Sequence, residues 1–524
     1  MGLWDLYFIT KLFLYFGQHM DFHAWPNLAF AVFLAVPIPE KFANRRRLLL
    51  YRQAIAIPAG IALFYYDTWL PPIGRVFSQA SAVEGFSPAY LLELAGRLIN
   101  PMVVGELALL FVVYFLVAKK FRVSSIIFIA MLAPLFSIGQ GTPRPEQSMA
   151  DMNTPAASMP SGKPDDATLN SQLAEFFSEE SGRNVSFSAP APQDAPFDII
   201  ILQICSLSWD DLDFTKQRDN PLFKRFDIVF TDFNSAASYS GPAAIRLLRG
   251  SCGQPKHSAL YDPAPPQCFT FDNLRDIGFE PQLAMNHDGH FGNFIGDVHD
   301  RGGMKAQPFD TKDLPPYLQS FDDTPIRQDF AVLSKWWGAR LKDHAPRVAL
   351  FYNTISLHDG NYYPGRHGNS MQIYPARLEQ LLKDMDRFFS ALQASGRRAV
   401  VVFIPEHGAS IRGDKMQIAG LREIPTPRIT SVPVGIKLIG LPDNPSAQPL
   451  QVTRPAGYLA VSQLLANFVA ITPFGKNNLS MEDYVRDLPE TNAVSENEDV
   501  VVMRRGKQYY IHTKGSEWVE YDPS

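Results

Sequence analysis

A chain of 524 residues is longer than one ordinary domain, and its composition splits near residue 140 into an apolar first part and a mixed remainder. The formal net charge of −5 carries no polyanion-binding signature. No run interleaves basic and aromatic side chains, so nucleic acid is excluded as a partner.

Residues 3–16 are apolar but carry Asp5 and Lys11, which leaves two readings: an N-terminal span, or an amphipathic segment at the membrane surface. Four further apolar stretches follow at 24–38, 54–70, 102–118 and 123–138. Each approaches the length needed to cross a hydrocarbon core of about 30 Å, although the first is short. Lys41, Arg45, Arg46 and Arg47 precede one span, and Lys119, Lys120 and Arg122 lie between the last two. Basic loops stay in the cytoplasm, so the chain after about residue 140 is expected on the far side. No basic stretch with a small-residue cleavage site precedes the apolar segments, so no cleavable signal is expected. The expected organisation is a transmembrane helical domain over 1–139, a Pro/Ser-rich tether over 140–196 and a catalytic domain over 197–524.

The tether reading rests on composition, since T-P-R-P-E-Q, N-T-P-A-A-S-M-P-S-G-K-P-D-D and S-A-P-A-P-Q-D-A-P bury too little apolar surface to order themselves. Within it, residues 169–177 form a short helical pattern with Leu173, Phe176 and Phe177 on one face. After Pro196, apolar strands alternate with helical patterns at 242–248, 271–277, 378–392 and 459–469, the signature of an α/β domain. Residues 500–503 and 508–512, around Arg504-Arg505-Gly506-Lys507, read as a terminal hairpin. Of three cysteines, Cys252 and Cys268 are spaced to close a modest loop as a disulfide in an exported domain; two buried free thiols are the alternative.

Three buried-strand patterns end in chemistry. Residues 197–204 deliver Cys205, residues 348–355 deliver His358-Asp359, and residues 399–404 run through Pro405 into Glu406-His407-Gly408. Sites in open α/β sheets lie beyond the carboxyl ends of strands. Thiolate, carboxylate and imidazole are zinc ligand types. Ser240 stands just ahead of a helix whose first turn carries Pro242, where the free N–H groups and the dipole favour an anion. A serine there is ordinarily a cap. A metal on Cys205, Glu406 and His407 with one open position would instead turn its hydroxyl into a nucleophile.

The segments I-C-S-L-S-W-D-D-L, A-S-Y-S-G-P-A-A-I-R-L-L-R-G-S-C-G-Q, S-L-H-D-G and P-E-H-G resemble the cellulose phosphoethanolamine transferases of bacterial cellulose secretion systems. These are membrane-anchored members of the alkaline phosphatase superfamily, and the resemblance spans essentially the whole chain. Against the wider superfamily, Cys205 stands where an acid is usual, Ser240 where Thr is usual, and Glu406 where Asp is usual. The resemblance implies an alkaline phosphatase-like α/β/α domain with a central, mostly parallel sheet. It implies zinc bound by Cys205, Ser240, Glu406 and His407. The reaction would be ping-pong: Ser240 takes phosphoethanolamine from phosphatidylethanolamine, then passes it to a glucose 6-hydroxyl of cellulose. The implied setting is the bacterial inner membrane, with the catalytic domain in the periplasm beside the subunits of the cellulose synthase complex.

His358 is the candidate acid and base, because an unperturbed imidazole titrates near working pH. His287, Asp288 and His290 follow another apolar strand and are candidates for the head group, with a structural turn as the alternative. Arg422 is a candidate phosphate clamp, and Tyr239 a residue that stacks on sugar or packs. Asp210 and Asp211 read as a capping loop. Competing readings are a transferase with another acceptor, such as lipid A or another glycan, and a non-catalytic membrane scaffold. A sulfatase is disfavoured, because Ser240-Gly241-Pro242 lacks the C-x-P-x-R pattern.

Overall fold

The computed structural model describes residues 3–17, 20–37, 45–68, 85–98, 101–118, 123–132, 164–365, 369–414, 416–441, 448–475 and 479–521. Residues 133–163, which hold the first part of the expected tether, and the basic residues Lys41, Lys119, Lys120 and Arg122 lie outside them. The chain divides into two compact units: Met1–Glu84 with Leu91–Ser161, and Gly85–Tyr90 with Gly162–Ser524.

The first unit is helical, with helices Leu3–Phe16, Ala24–Ala35, Arg45–Asp67, Pro101–Val117 and Val123–Ala130. Among the described residues one helix, Arg46–Asp67, is long and apolar enough to cross a membrane; Ala24–Ala35 and Met102–Val117 are apolar but shorter. Phe8, Leu12, Phe30, Leu34, Ile127 and Met131 form its core. Lys11, the charge that interrupts the first apolar segment, is wholly buried and paired with Asp67. Its ammonium also donates to Asn27 Oδ1 at 2.7 Å. A charge removed from water persists only when paired and hydrogen-bonded in this way.

In the second unit the strands are, in chain order, β1 (Asp198–Ile204), β2 (Ile228–Phe230), β3 (Glu280–Met285), β4 (Pro316–Gln319), β5 (Pro325–Arg327), β6 (Val348–Thr354), β7 (Ala399–Pro405), β8 (Val434–Ile439), β9 (Leu450–Val452), β10 (Val494–Glu496), β11 (Val500–Arg505), β12 (Gln508–Thr513) and β13 (Val519–Tyr521). Seven form a central sheet in the order β3-β6-β1-β7-β8-β2-β9. β3, β6, β1 and β7 are mutually parallel, while β8 runs antiparallel to β7 and β2. The sheet is therefore mixed but mostly parallel.

Alternation along the strands sends side chains to two cores. Ile199, Ile201, Phe351, Val400 and Val402 pack with helices Ser240–Leu248, Thr270–Asp276 and Tyr458–Ala470 on one face. Ile200, Leu202, Leu350, Tyr352, Val401 and Phe403 pack with Asp329–Arg340 and Tyr374–Ala394 on the other. Burial on both faces is why these strands read as unbroken apolar runs. At the amino ends of the sheet, buried Asp198 is held by Arg340 at 2.9 Å and Arg397 at 2.6 Å, which leaves the carboxyl ends to carry function.

The terminal hairpin is β11–β12, extended by β10 and β13 into a four-stranded antiparallel sheet. Helix Asp166–Ser181 packs against it: Leu169, Phe176 and Phe177 are buried with Val494, Met503, Tyr510 and Trp518. Asp165 caps this helix by accepting from the Thr168 N–H at 2.8 Å. This stretch is thus folded structure and not part of a tether running to residue 196, because its apolar face finds a sheet to cover. A disulfide joins Cys252 to Cys268.

Candidate active site

The register of the parallel strands builds the site. Ile204 lies opposite Thr354 of β6 and Pro405 of β7, so Cys205 and Glu406 leave adjacent strands at one level. The Cys205 N–H donates to the Thr354 carbonyl and the Glu406 N–H to the Ile204 carbonyl, at 2.9 and 2.8 Å. Ligand atoms of Cys205, Glu406 and His407 all lie within 4.8 Å of one another, and the three residues are fully buried. Gly408 permits this packing, since a Cβ there would lie 2.5 Å from Ser208 Oγ.

Ser240 opens helix Ser240–Leu248, with Tyr239 in the cap position and no side-chain capping bond. The serine hydroxyl points elsewhere: its Oγ lies 3.4 Å from Cys205 Sγ and 3.5 Å from His407 Nε2. His407 Nε2 lies 3.8 Å from Glu406 Oε2 and 4.0 Å from Cys205 Sγ. His407 Nδ1 donates to the Gly408 carbonyl at 2.9 Å, which turns the Nε2 lone pair toward the cluster.

Burial and the Glu406 carboxylate push the Cys205 thiol up to about 12, against the weaker pull of Arg422. Burial also raises Glu406, and burial with Arg422 holds His407 well below the ordinary imidazole range. Among the described residues the buried Glu406 Oε2 has no hydrogen-bond partner. A carboxylate oxygen, a thiol sulfur, an imidazole lone pair and a hydroxyl converge on one point. Separations of this size suit ligands held about 2.0–2.3 Å from a tetrahedral zinc. The residues fit that ion.

One ligand partner was missed by the sequence reading. Asn353 of β6, fully buried, donates to Glu406 Oε1 at 2.6 Å and accepts at Oδ1 from His287 Nε2 at 2.8 Å. His287 Nδ1 accepts the Gly289 N–H at 3.1 Å, which fixes the donor nitrogen on Asn353. The signal was present: Asn353 is a polar residue in an apolar run, and it faces Gln203 across the register. His287 is therefore a support for Glu406 through Asn353. His290 does not join the site; its side chain is 81% exposed and pairs with Asp288.

A cavity of about 270 Å³ opens on Ser240 and is lined by Tyr239, His287, Asp288, His358 and Arg422 among others. Tyr239 donates its hydroxyl to Glu423 Oε1 at 2.6 Å, and its ring lies 5.8 Å from the Arg422 guanidinium. Arg422 is buried; Nη1 donates to Ser206 Oγ at 3.2 Å, while Nε has no partner among the described residues. Asp211 forms a capping box with Ser208, and Asp210 pairs with Arg412, so neither acid approaches the cluster as a ligand.

His358 donates from Nδ1 to the Asp359 carbonyl at 2.6 Å, leaving Nε2 as acceptor. Arg377 holds the loop by donating to the carbonyls of Ser356 and His358, at 2.9 and 2.8 Å. His358 itself departs from the ordinary imidazole range. Burial, reinforced by Arg422, lowers its pKa to about 4, so it stands neutral at pH 7.

The family profile described as cellulose biosynthesis protein BcsG, N-terminal domain, matches residues 4–135, and the C-terminal domain profile matches residues 153–518. Cellulose biosynthesis protein BcsG of Escherichia coli (strain K12) is 39% identical, over 99% of this chain and 96% of that protein. The Salmonella typhimurium protein of the same name is 38% identical over the same shares. A solved alkaline phosphatase superfamily structure from Vibrio parahaemolyticus aligns with 67% of this chain and 88% of its own, at 16% identity and TM-score 0.46. On the sequence matches, the chain belongs to the BcsG family.

The buried imidazole makes a direct forecast. As pH falls, His358 should remain neutral past the ordinary histidine range and gain its proton only near pH 4, because burial penalises the charged form. NMR of histidine-labelled protein, with His358→Asn assigning the resonance, checks this. An inflection near 6.5 would contradict the buried setting.

Proposed function

We propose that this chain is a zinc-dependent transferase that moves phosphoethanolamine from phosphatidylethanolamine to glucose 6-hydroxyls of nascent cellulose. The observation that carries the reading is the Ser240 hydroxyl, set within 3.5 Å of both Cys205 Sγ and His407 Nε2 at the mouth of a cavity. Membership of a family whose members are named for cellulose biosynthesis supports the acceptor. Cys205, Glu406 and His407 would hold the zinc, with Ser240 beside it. Bound there, zinc supplies positive charge that lowers the pKa of the serine hydroxyl and offsets charge on the phosphoryl oxygens.

The rest falls to side chains. Ser240 Oγ forms a bond to phosphorus as the bond to the diacylglycerol oxygen breaks. The serine proton reaches the leaving oxygen by way of His358 Nε2. The product is phosphoethanolamine esterified to Ser240. A glucose 6-hydroxyl then attacks phosphorus, His358 takes its proton, and the proton returns to Ser240. Arg422, whose buried Nε has no partner among the described residues, donates to a phosphoryl oxygen. Preorganised charge of this kind supplies most of the rate in phosphoryl transfer.

Mass spectrometry after exposure to phosphatidylethanolamine should find the head-group adduct on the peptide holding Ser240. Ser240→Ala should lose adduct and transfer while keeping fold and most metal binding, since the serine hydroxyl makes no helix-capping bond. Transfer by Ser240→Ala near the wild-type rate would rule out the covalent route.

The donor lipid requires a bilayer, so we place the first 139 residues as a multi-pass anchor in the inner membrane, with the catalytic unit in the periplasm beside the cellulose synthase complex. Exposed Ile55, Ile61, Leu109 and Leu116 on the helical unit support a lipid-facing surface. Alkaline-phosphatase reporters should be active when fused at Gln140 and silent when fused within 42–47. The reverse result at Gln140 would make a cellulose acceptor untenable.

A further inference from the structure

Beyond Ser240 the cavity has an aromatic and acidic wall that no step above uses: Tyr261, Phe291, Phe321 and the carboxylates of Asp288, Asp297 and Asp322. Two of those carboxylates are committed. Asp322 Oδ1 accepts from the Thr324 N–H and hydroxyl at 3.1 and 2.7 Å. Asp288 accepts the His290 N–H at 3.1 Å and pairs with its ring at 3.4 Å. Asp297 differs. Among the described residues its carboxylate has no hydrogen-bond or ion-pair partner, and Arg301, four residues on, donates instead to the Tyr261 carbonyl. Its position is set by the serine turn, because Asp297 Oδ2 lies 2.8 Å from where a Cβ on Gly241 would sit. Glycine next to the nucleophile is what lets this carboxylate reach the cavity.

We propose that Asp297, with the rings of Tyr261 and Phe291, forms a subsite for a primary ammonium group placed two carbons from a phosphate held at Ser240. The inference rests on the transferase reading and assigns the part of the donor that the metal cluster does not touch. A half-buried carboxylate attracts a cation more strongly than an exposed one, and aromatic faces add to that attraction. Burial raises the Asp297 carboxyl, with Arg301 opposing; an arriving ammonium would favour its ionised form. Selectivity follows from the same geometry, since a head group lacking the ammonium leaves the carboxylate unpaired.

Calorimetry on the full chain in detergent, with O-phosphoethanolamine and n-propyl phosphate as probes, tests this. The two differ only in the charged terminus. The wild type should bind O-phosphoethanolamine roughly tenfold more tightly, the size of one charge-assisted contact. In Asp297→Asn the two probes should bind alike, with n-propyl phosphate at its wild-type affinity. Equal affinities in the wild type would overturn the subsite, as would an equal loss of both probes in the variant, which marks a structural role. If the probes are discriminated but no adduct forms on Ser240, the subsite stands and the transferase reading fails.

Discussion

A thiol, a carboxylate and an imidazole are held side by side out of water, and the rest of the molecule is arranged around that constraint. Left alone, each shifts toward its neutral form: Cys205 and Glu406 upward, His407 downward. Ionising such a group without a counter-ion costs several kcal/mol per charge. The parallel ladder of β6, β1 and β7 denies it the relaxation that would let water in, because Cys205 and Glu406 are fixed by backbone bonds on neighbouring strands. A divalent cation bound there, as proposed, would remove the penalty. Structural zinc sites bind with about 10–16 kcal/mol at neutral pH, enough to exceed it.

Around this centre the polar partners form a short chain of command. His287 orients Asn353, and Asn353 orients Glu406. A residue on the cavity wall is thereby linked to Glu406, a proposed metal ligand, without touching it. Arg422 lies on the other side, buried against Tyr239 and Ser206, and its field helps keep both His358 and His407 neutral. A neutral His358 accepts a proton from a sugar hydroxyl without first losing one, which suits the second half of the proposed reaction better than the first.

Much of this was readable in advance. Strands β1, β6 and β7 stood out because burial on both faces leaves uninterrupted apolar text, and the chemistry at their ends followed. Strand β8 was not anticipated: Gly435 and Lys437 break its pattern, and only the structure shows Lys437 buried beside Asp227. The helix at 166–181 reads from composition as part of a tether, because its partner, the four-stranded terminal sheet, lies more than 300 residues away in the chain. Asn353 stands out as a polar residue within an apolar run, but nothing in that run ties it to Glu406 on a strand two places away in the sheet. Asp297 was hidden because its role depends on approach to Gly241, a contact that no local spacing encodes. The lowered pKa of His358 was not legible in the sequence, since desolvation cannot be read from a single strand end.

Zinc K-edge X-ray absorption on the metal-loaded full chain tests the central claim most directly. The account predicts a four-coordinate site with one sulfur at about 2.3 Å and nitrogen or oxygen ligands at about 2.0–2.2 Å, with the sulfur shell lost in Cys205→Ser. A sulfur-free shell in the wild type, or a sulfur shell that survives Cys205→Ser, would contradict it.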